Sequence, residues 1–188
     1  MGTRSLTKVI STWKDESGEK QRRPITTMYR QYDGYLNAHG QELAEWLSGY
    51  TIVNGIPSDK SEPMFNGMDC LAAQMFAYFK TEAGNIYCMH PDAEDCWEEY
   101  LYEISEGQYG SYEGILITVY EIRSKDNAEE IFHGTPEELL TKIEEIDKEI
   151  FITVYEINGD RADDSAYGHI FHGTPEELLT KIESNVEH

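Results

Sequence analysis

One 14-residue stretch, IFHGTPEELLTKIE, occurs twice without a difference, at Ile131–Glu144 and at Ile170–Glu183. Each copy follows the same six residues, ITVYEI, at 117–122 and at 152–157. A polar insert of eight residues separates the two blocks in the first copy, and an insert of twelve residues separates them in the second. Loops accept such differences in length more readily than strands or helices do. The pattern therefore indicates a tandem duplication of one small folding unit.

Each copy has the order strand, strand, helix. ITVYEI alternates its side chains as a strand does, and the insert carries the Asp, Asn and Gly residues of a hairpin loop. Thr135 can cap the first helix, Pro136 suits its first position, and Glu138 completes a capping box. The apolar stripe of this helix comprises Leu139, Leu140, Ile143 and Ile146. We predict ββα units at 115–148 and 150–186, which should pack on each other or on a shared sheet because a lone hairpin is only marginally stable.

The chain before the duplication predicts similar elements. Strands at Ser5–Trp13 and Ile25–Tyr32 and a helix at Gln41–Leu47 repeat the order ββα. The remaining predicted elements are a helix at Met68–Ala83, strands at Asn85–His90 and Cys96–Ile104, and a hinge at Ser105–Gly114.

These elements predict an α+β fold with antiparallel sheets, helices on one face, and ββα units that include the C-terminal tandem repeat. We expect an N-terminal domain at 1–110 and the tandem repeats at 111–188. Direct pairing of Tyr100, Tyr102 and Ile104 with Ile115–Ile122 is the alternative, and it would join both parts into one sheet.

The formal net charge of −21 is distributed unevenly along the chain. Residues 1–30 carry seven Lys and Arg against three Asp and Glu, whereas residues 31–188 carry eight against thirty-three. Such a surface fits a plain soluble acidic protein, or one that binds a basic partner or takes the place of nucleic acid. The predicted partner-binding carboxylates are Glu129, Glu130, Glu144, Glu145, Asp147, Glu149, Asp160, Asp163 and Asp164.

The basic N-terminal arm is the only part of the chain that favours nucleic acid. Arg22, Arg23 and Arg30, with Tyr29 beside them, could contact a nucleic-acid backbone. They could equally dock on the protein's own acidic body, and we favour this internal docking. Direct binding of nucleic acid by the acidic body is disfavoured, because its carboxylates would repel phosphates.

Candidate catalytic and metal-ligating residues are few. The loop around Asp33 and His39 holds groups suited to acid–base chemistry, but it lacks a nucleophile elbow and a glycine-rich phosphate loop. The segment CMHPDAEDC, at 88–96, has no zinc-ligand spacing, and a hairpin whose Cys88 and Cys96 face each other as buried thiols explains it as well. We therefore predict no catalytic residue, no metal and no cofactor.

Cysteine usage and hydropathy bear on the location of the protein. Three cysteines and the lack of a recognisable signal peptide lead us to expect the reducing cytoplasm of the host cell. No apolar run reaches the length of a membrane span, so we expect no membrane partner. The oligomeric state is left open.

Several segments resemble a family of small proteins carried by phages and prophages. They are GTRSLTKVI, ITTMYRQYDGY, HGQELAEWL, NIYCMHPDAEDCWEEYLYEI and IFHGTPEELL, and together they cover most of the chain. Some phage proteins of this kind inhibit CRISPR nucleases, so the resemblance implies an anti-CRISPR protein. It supplies no catalytic residues, and the duplication departs from the family pattern.

The functional prediction is an acidic, phage-encoded inhibitor that binds a host nucleic-acid-handling defence protein, such as a CRISPR nuclease, without catalysis. Steered encounter between opposite charges would make binding fast and sensitive to salt. One alternative is a phage structural or assembly protein that self-associates. Another is a small enzyme or ligand-sequestering protein built around Asp33 and His39.

Overall fold

A computed structural model describes residues 2–55, 63–124 and 127–148, and the backbone of residues 152–157 and 167–173. The chain divides into two compact units, Met1–Thr141 and Lys142–His188. The strands are β1 (Ser5–Lys14), β2 (Lys20–Arg30), β3 (Thr51–Val53), β4 (Met64–Asn66), β5 (Ile86–Met89), β6 (Tyr100–Tyr109), β7 (Tyr112–Ser124), β8 (Asn127–Gly134), β9 (Ile152–Ile157) and β10 (Tyr167–Gly173). The helices are α1 (Gln41–Leu47), α2 (Gly67–Phe79) and α3 (Pro136–Lys148), and a single wide helical turn at Leu36–Gly40 precedes α1.

Six of the strands form the main sheet, in the order β5-β2-β1-β6-β7-β8. The hairpin of β1 and β2 turns at Asp15, whose Oδ1 accepts hydrogen bonds from the backbone amides of Ser17 and Glu19 at 2.9 and 3.0 Å. Gly18 completes this turn with a φ of 84°, a conformation that glycine adopts without strain. The result is a mixed α+β fold, as predicted.

The pair of β1 and β6 is parallel, with Ser5 opposite Tyr100 and Ile10 opposite Ser105. Our prediction of a purely antiparallel sheet is wrong at this pair. The reason lies in residues 90–99, which lead from β5 back across β1. Along this path Thr27 Oγ1 donates to the Pro91 carbonyl at 2.6 Å, and the Glu99 amide donates to the Arg4 carbonyl at 2.9 Å. Strand β6 therefore starts at the same end of the sheet as β1 and runs the same way.

Helices α1 and α2 pack on one face of the sheet. Because successive strand residues point to opposite faces, Thr7 and Tyr102, which contact His39 of the helical turn, define this helix-covered face. Trp46 of α1 stacks on Tyr78 and meets the edges of Phe65 and Phe79. The largest fully buried side chains are Tyr102, Phe65, Leu6, Ile10, Met28, Leu43, Leu47, Leu71, Met75, Ile104, Ile115 and Ile117.

Several predicted boundaries change in the structure. Helix α1 matches its predicted range, but α2 ends at Phe79 rather than Ala83. Strand β6 starts at Tyr100 rather than Cys96, because Asp95 and Trp97 adopt left-handed φ values of 55° and 64°. The predicted hinge at 105–114 is instead a tight hairpin between β6 and β7, with Tyr109 opposite Tyr112. The sheet thus includes residues on both sides of the predicted boundary at 110/111, and the chain divides into its two units between Thr141 and Lys142.

The two copies of the duplicated segment are described to different extents. In the first copy, β7, β8 and α3 follow the predicted order ββα. In the second copy, β9 and β10 form a two-stranded antiparallel sheet. The helix predicted to start at Thr174 lies outside the described residues.

Candidate functional site

The face of the sheet opposite to α1 and α2 carries polar side chains from five strands. Lys8 follows Thr7, which contacts His39 on the helix-covered face, so Lys8 points the other way. Strand pairing then puts Glu103 beside Lys8, and Thr118 beside Glu103. We call this surface the polar face. Its polar residues include Lys8, Thr12, Arg22, Glu103, Thr118, Tyr120, Glu130 and His133.

A cleft of about 320 Å³ lies on the polar face between β2 and β8. Arg22 Nη2 donates to Glu103 Oε2 at 2.6 Å, and this hydrogen bond raises the pKa of the guanidinium. Thr118 Oγ1 and His133 Nδ1 are 2.9 Å apart. Burial, and then the nearby Glu103 and Glu130 carboxylates, raise the pKa of Tyr120. Arg22 of the basic arm is therefore bound to one of the protein's own carboxylates.

A larger groove of about 850 Å³ lies at the other end of the polar face. Lys8 Nζ is 3.9 Å from Glu94, and Arg123 Nη2 lies 3.1 Å from Glu121 and 2.8 Å from Glu129. Its apolar lining comes from Leu6, Leu101 and Ile122. The groove thus combines an apolar floor with the cations Arg4, Lys8 and Arg123, of which Lys8 and Arg123 are paired to carboxylates of the chain.

Trp97 stands at the rim of this groove with 80% of its surface exposed. Its left-handed backbone, with a φ of 64°, is costly for a tryptophan. Large exposed aromatics are frequent anchors of protein interfaces. Sequence reasoning missed Trp97, because an aromatic residue inside a presumed strand gives no sign that it points to solvent.

Cys88 and Cys96 do not form the buried pair that one interpretation of the sequence favoured. Cys88 of β5 lies opposite Met28 of β2 and is exposed. Cys96 belongs to residues 90–99, which lead from β5 across β1, and it is half-buried. Burial, and then the carboxylates of Glu98 and Asp95, raise the pKa of the Cys96 thiol. Among the residues that the structure describes, no three His, Cys, Asp or Glu side chains converge as a metal site would require.

His39 lies at the centre of a buried polar network on the helix-covered face. Its side chain is fully buried, and its Nε2 is 2.7 Å from Thr7 Oγ1. Arg30 Nη1 lies 3.0 Å from His39 Nδ1 and also binds Glu42, while Arg30 Nε donates to the Tyr32 carbonyl at 2.9 Å. The rings of Tyr102 and Phe79 meet the imidazole edge-on, at centroid distances of 5.0 and 5.2 Å. Burial, and then the charge of Arg30, lower the pKa of His39 to about 3.

This network fixes the tautomer of His39. Because a guanidinium can only donate hydrogen bonds, Nδ1 must accept, and the proton of the neutral imidazole is on Nε2. Nε2 therefore donates to Thr7 Oγ1 and has no lone pair with which to take the Thr7 proton. Asp33, the other candidate for acid–base chemistry, has an exposed side chain at a left-handed position. The arrangement suits structural hydrogen bonding rather than nucleophile activation.

The residues of the predicted basic arm separate in the structure. Arg22 is exposed at the polar face and paired, and Arg23 is exposed. Arg30 is buried at the end of β2, beneath the helical turn and α1, where His39 and Glu42 bind its guanidinium. This position agrees with internal docking of Arg30, which we favoured over a nucleic-acid contact. Tyr29 is half-buried, with its ring centroid 6.1 Å from that of Tyr87.

The predicted acidic residues fall into three groups. Glu129 pairs with Arg123, and Glu130 is exposed beside the cleft on the polar face. Three are exposed on α3, namely Glu144, Glu145 and Asp147. Four lie outside the described residues, namely Glu149, Asp160, Asp163 and Asp164. The capping box of α3 is confirmed, since the Thr135 amide donates to Glu138 Oε2 at 2.9 Å and the Glu138 amide donates to Thr135 Oγ1 at 3.2 Å.

Comparisons of the chain with protein-family models, with curated proteins and with solved structures gave no match. Within the part of the chain that the structure describes, no helix has the length and apolar character needed to cross a membrane.

Proposed function

We propose that this protein is a non-catalytic acidic inhibitor that binds the basic surface of a host nucleic-acid-handling defence protein, such as a CRISPR nuclease. The observation that carries the proposal is the surplus of carboxylates over cations. Even if every one of the 15 Lys and Arg residues paired with a carboxylate of the chain, a net charge of −21 would remain. A surface of this charge attracts basic partners and repels phosphates.

The pairing of the cations supports this proposal. Lys8, Arg22, Arg30 and Arg123 each lie within 4 Å of a carboxylate of the chain, and Lys80 Nζ donates to the carbonyls of Gly84 and Ile86 at 2.7 and 2.8 Å. These cations are therefore less available to a nucleic-acid backbone. We infer that the basic arm contributes to the fold and that the carboxylates contribute to binding.

Helix α3 is the strongest candidate for a contact surface. Its sequence PEELLTKIEEIDK carries five carboxylates, all of them on exposed residues, and Glu144 and Glu145 lie side by side on its last turns. We further propose that the second copy of the duplicated segment completes the same ββα unit, so that two acidic helices of the same sequence act together. Two linked contact surfaces raise the overall affinity when one partner can engage both.

Catalysis is the weaker interpretation of the same residues. His39 has no lone pair facing Thr7, and its pKa of about 3 leaves it neutral at physiological pH within a fully buried site. A general base needs access to a substrate proton. A role of His39 in holding β1, β2 and the helical turn together accounts for its contacts.

The experiment measures the inhibition of DNA cleavage by a purified, guide-loaded CRISPR nuclease, and its binding by titration calorimetry at low and high salt. E144Q/E145Q should weaken binding about tenfold, since each exposed charge contact contributes up to ~1 kcal/mol. The matched control is E16Q/E19Q, which removes the same charge from the exposed turn between β1 and β2 and should change binding less than ~2-fold. Equal effects of both variants would show that only net charge matters, and binding that is insensitive to salt would refute the proposal.

Self-association is a second candidate, and one observation favours it. Strand β8 is an outer strand of the main sheet and has no further partner among the described strands, so it offers backbone groups to another chain. Light scattering distinguishes the two functions. A mass of one chain at all concentrations would exclude self-association, whereas a mass that rises with concentration would support it.

A further inference from the structure

The two hairpins of the duplicated segment pair their strands in the same register, and they share one irregularity in that pairing. In the first, Thr118 pairs with His133 and Val119 with Phe132; in the second, the equivalent pairs are Thr153 with His172 and Val154 with Phe171. The first hairpin then skips Ile131, because Tyr120 pairs with Glu130, and the second skips Ile170, because Tyr155 pairs with His169. Both copies therefore form the same bulged backbone.

The outer edge of this hairpin has different surroundings in the two copies. In the first copy, β6 pairs along its whole length with β7, from Tyr100 opposite Glu121 to Tyr109 opposite Tyr112. Ile117 and Val119 are fully buried there. In the second copy, β9 carries the same six residues, and β10 is its only partner among the described strands. The sequence of β9 is thus the same as that of the part of β7 at 117–122. β7 is the strand that pairs with β6 in the first copy.

We infer that the second copy can replace the first beside β6 of the same chain. The pairing surface is the edge of β6, and its alternative partner is β9. All residues of ITVYEI and of IFHGTPEELLTKIE are the same in both copies, and the preceding Ile115 and Leu116 correspond to the apolar Ile150 and Phe151. After the exchange, the side chains of these two blocks would be the same as those of the first copy. The differences would be confined to the two preceding residues, 150 and 151, and to the longer insert at the hairpin tip. The inference is independent of the proposed function.

Chain connectivity favours the first copy. It follows β6 after a turn of two residues, 110 and 111. The position of the second copy that corresponds to Tyr112 is Asp147, so the second copy would follow β6 after a loop of 37 residues, 110–146. The probability of closing a flexible loop falls with about the 3/2 power of its length, so the first copy is favoured roughly 80-fold. The second copy occupies the site in about one molecule in a hundred, and it takes over when the first copy is damaged.

The first test damages one copy at a time in the full chain. Val119 is fully buried, so Val119→Asp should abolish the fit of the first copy, while Val154→Asp is the matched change in the second. V119D should keep the near-ultraviolet circular dichroism of the folded protein and lose roughly 80-fold in the folding equilibrium constant. V119D/V154D should unfold, and V154D should keep the wild-type spectrum. A V119D protein as unfolded as the double variant would overturn the inference.

The second test locates β9 directly and does not depend on the stability of a damaged sheet. In a chain carrying C70S, C88S and C96S, Glu103→Cys with Thr118→Cys links β6 to the first copy, because these residues face each other across the strands. Glu103→Cys with Thr153→Cys reports the exchange. The second pair should oxidise in the monomer at roughly one hundredth of the rate of the first, and as fast as the first once V119D is added. No disulfide, or a disulfide only between chains at a rate that rises with concentration, would overturn exchange within one chain.

Discussion

The buried His39 should make the stability of this protein depend on pH in a defined direction. Its folded pKa of about 3 is below the value of 6.5 for a free imidazole. A group whose pKa is lower in the folded state takes up its proton more readily in the unfolded chain. Its contribution to stability is therefore complete above pH 6.5, falls as the pH drops below 6.5, and is fully lost near pH 3.

The magnitude follows from the two pKa values. Below pH 6.5 the unfolded chain binds one more proton at this site than the folded protein, which costs about 1.4 kcal/mol for each pH unit. Integration from pH 8 to pH 5 gives a loss of about 2 kcal/mol from His39 alone. The groups that face the imidazole are Arg30 of β2, Tyr102 of β6 and Thr7 of β1, with Glu42 of α1 bound to Arg30. Glu42 is present in every variant compared, so it does not contribute to the difference between them.

The assay is urea unfolding at pH 8 and pH 5, above the sequence pI of about 4.5, for the wild type and for His39→Gln. A glutamine can accept from Arg30 and donate to Thr7 as the neutral imidazole does, but it does not titrate. The gap in unfolding free energy between the two proteins should shift by about 2 kcal/mol against the wild type at pH 5. His90→Gln removes an exposed imidazole and is the matched control. A gap that is constant to within about 0.5 kcal/mol would refute the assignment of His39 as a buried neutral imidazole.

The remaining predictions concern stability and use the same unfolding assay at pH 8. Arg30→Met should cost about 3 kcal/mol, because it leaves the buried His39 Nδ1 without its donor and also removes the hydrogen bond to the Tyr32 carbonyl. Glu42→Gln should cost less than ~1 kcal/mol because its side chain is half exposed, and equal costs would contradict the roles given to the two partners. Gly34→Ala should lower the free energy of unfolding by at least about 2 kcal/mol, since a Cβ there would lie 2.7 Å from backbone atoms of Arg4 and Ser5. An unchanged stability would show that β1 can move away from the added methyl group. Thr135→Ala should cost about 1 kcal/mol by removing the cap of α3, and no loss would mean that water replaces the hydroxyl.

Local signals in the sequence were sufficient for the first copy of the duplicated unit. Thr135, Pro136 and Glu138 determine where α3 begins through contacts within four residues, and ITVYEI forms a strand through its own alternation. Such short-range signals need no knowledge of the fold. The range of α1 was predicted for the same reason.

The position of β6 was beyond such signals. Whether β6 pairs parallel with β1 depends on the path of residues 90–99. The Thr27 hydroxyl, which donates to the Pro91 carbonyl, and the Glu99 amide, which donates to the Arg4 carbonyl, hold this path in place. Both bonds join residues that are far apart in sequence, and their acceptors are backbone carbonyls that every residue possesses. The positive φ values of Asp95 and Trp97, which turn the segment, also have no glycine to announce them.

The sequence favoured internal docking of Arg30 but did not identify the residues that bind it. Arginine is seldom buried unless it is paired, and the partners of Arg30 come from three places: His39 in the helical turn, Glu42 in α1 and the backbone of Tyr32. Only Tyr32 is close to it in sequence. A basic run at the end of a strand therefore predicts an exposed basic surface only when no later segment of the chain places a carboxylate or an imidazole against it.

The order of the sheet explains why this chain could duplicate part of itself. β1 and β6 occupy its centre, whereas the duplicated unit begins with β7 and ends after β8, which is the outer strand. A second copy inserted after the first leaves all central pairings intact, since every strand before β7 keeps its neighbours. Duplication of a central strand would instead have forced a register change on both sides. The duplication also changes the charge of the chain, because each copy adds the acidic sequence PEELLTKIE and so increases the negative charge that we propose the partner binds.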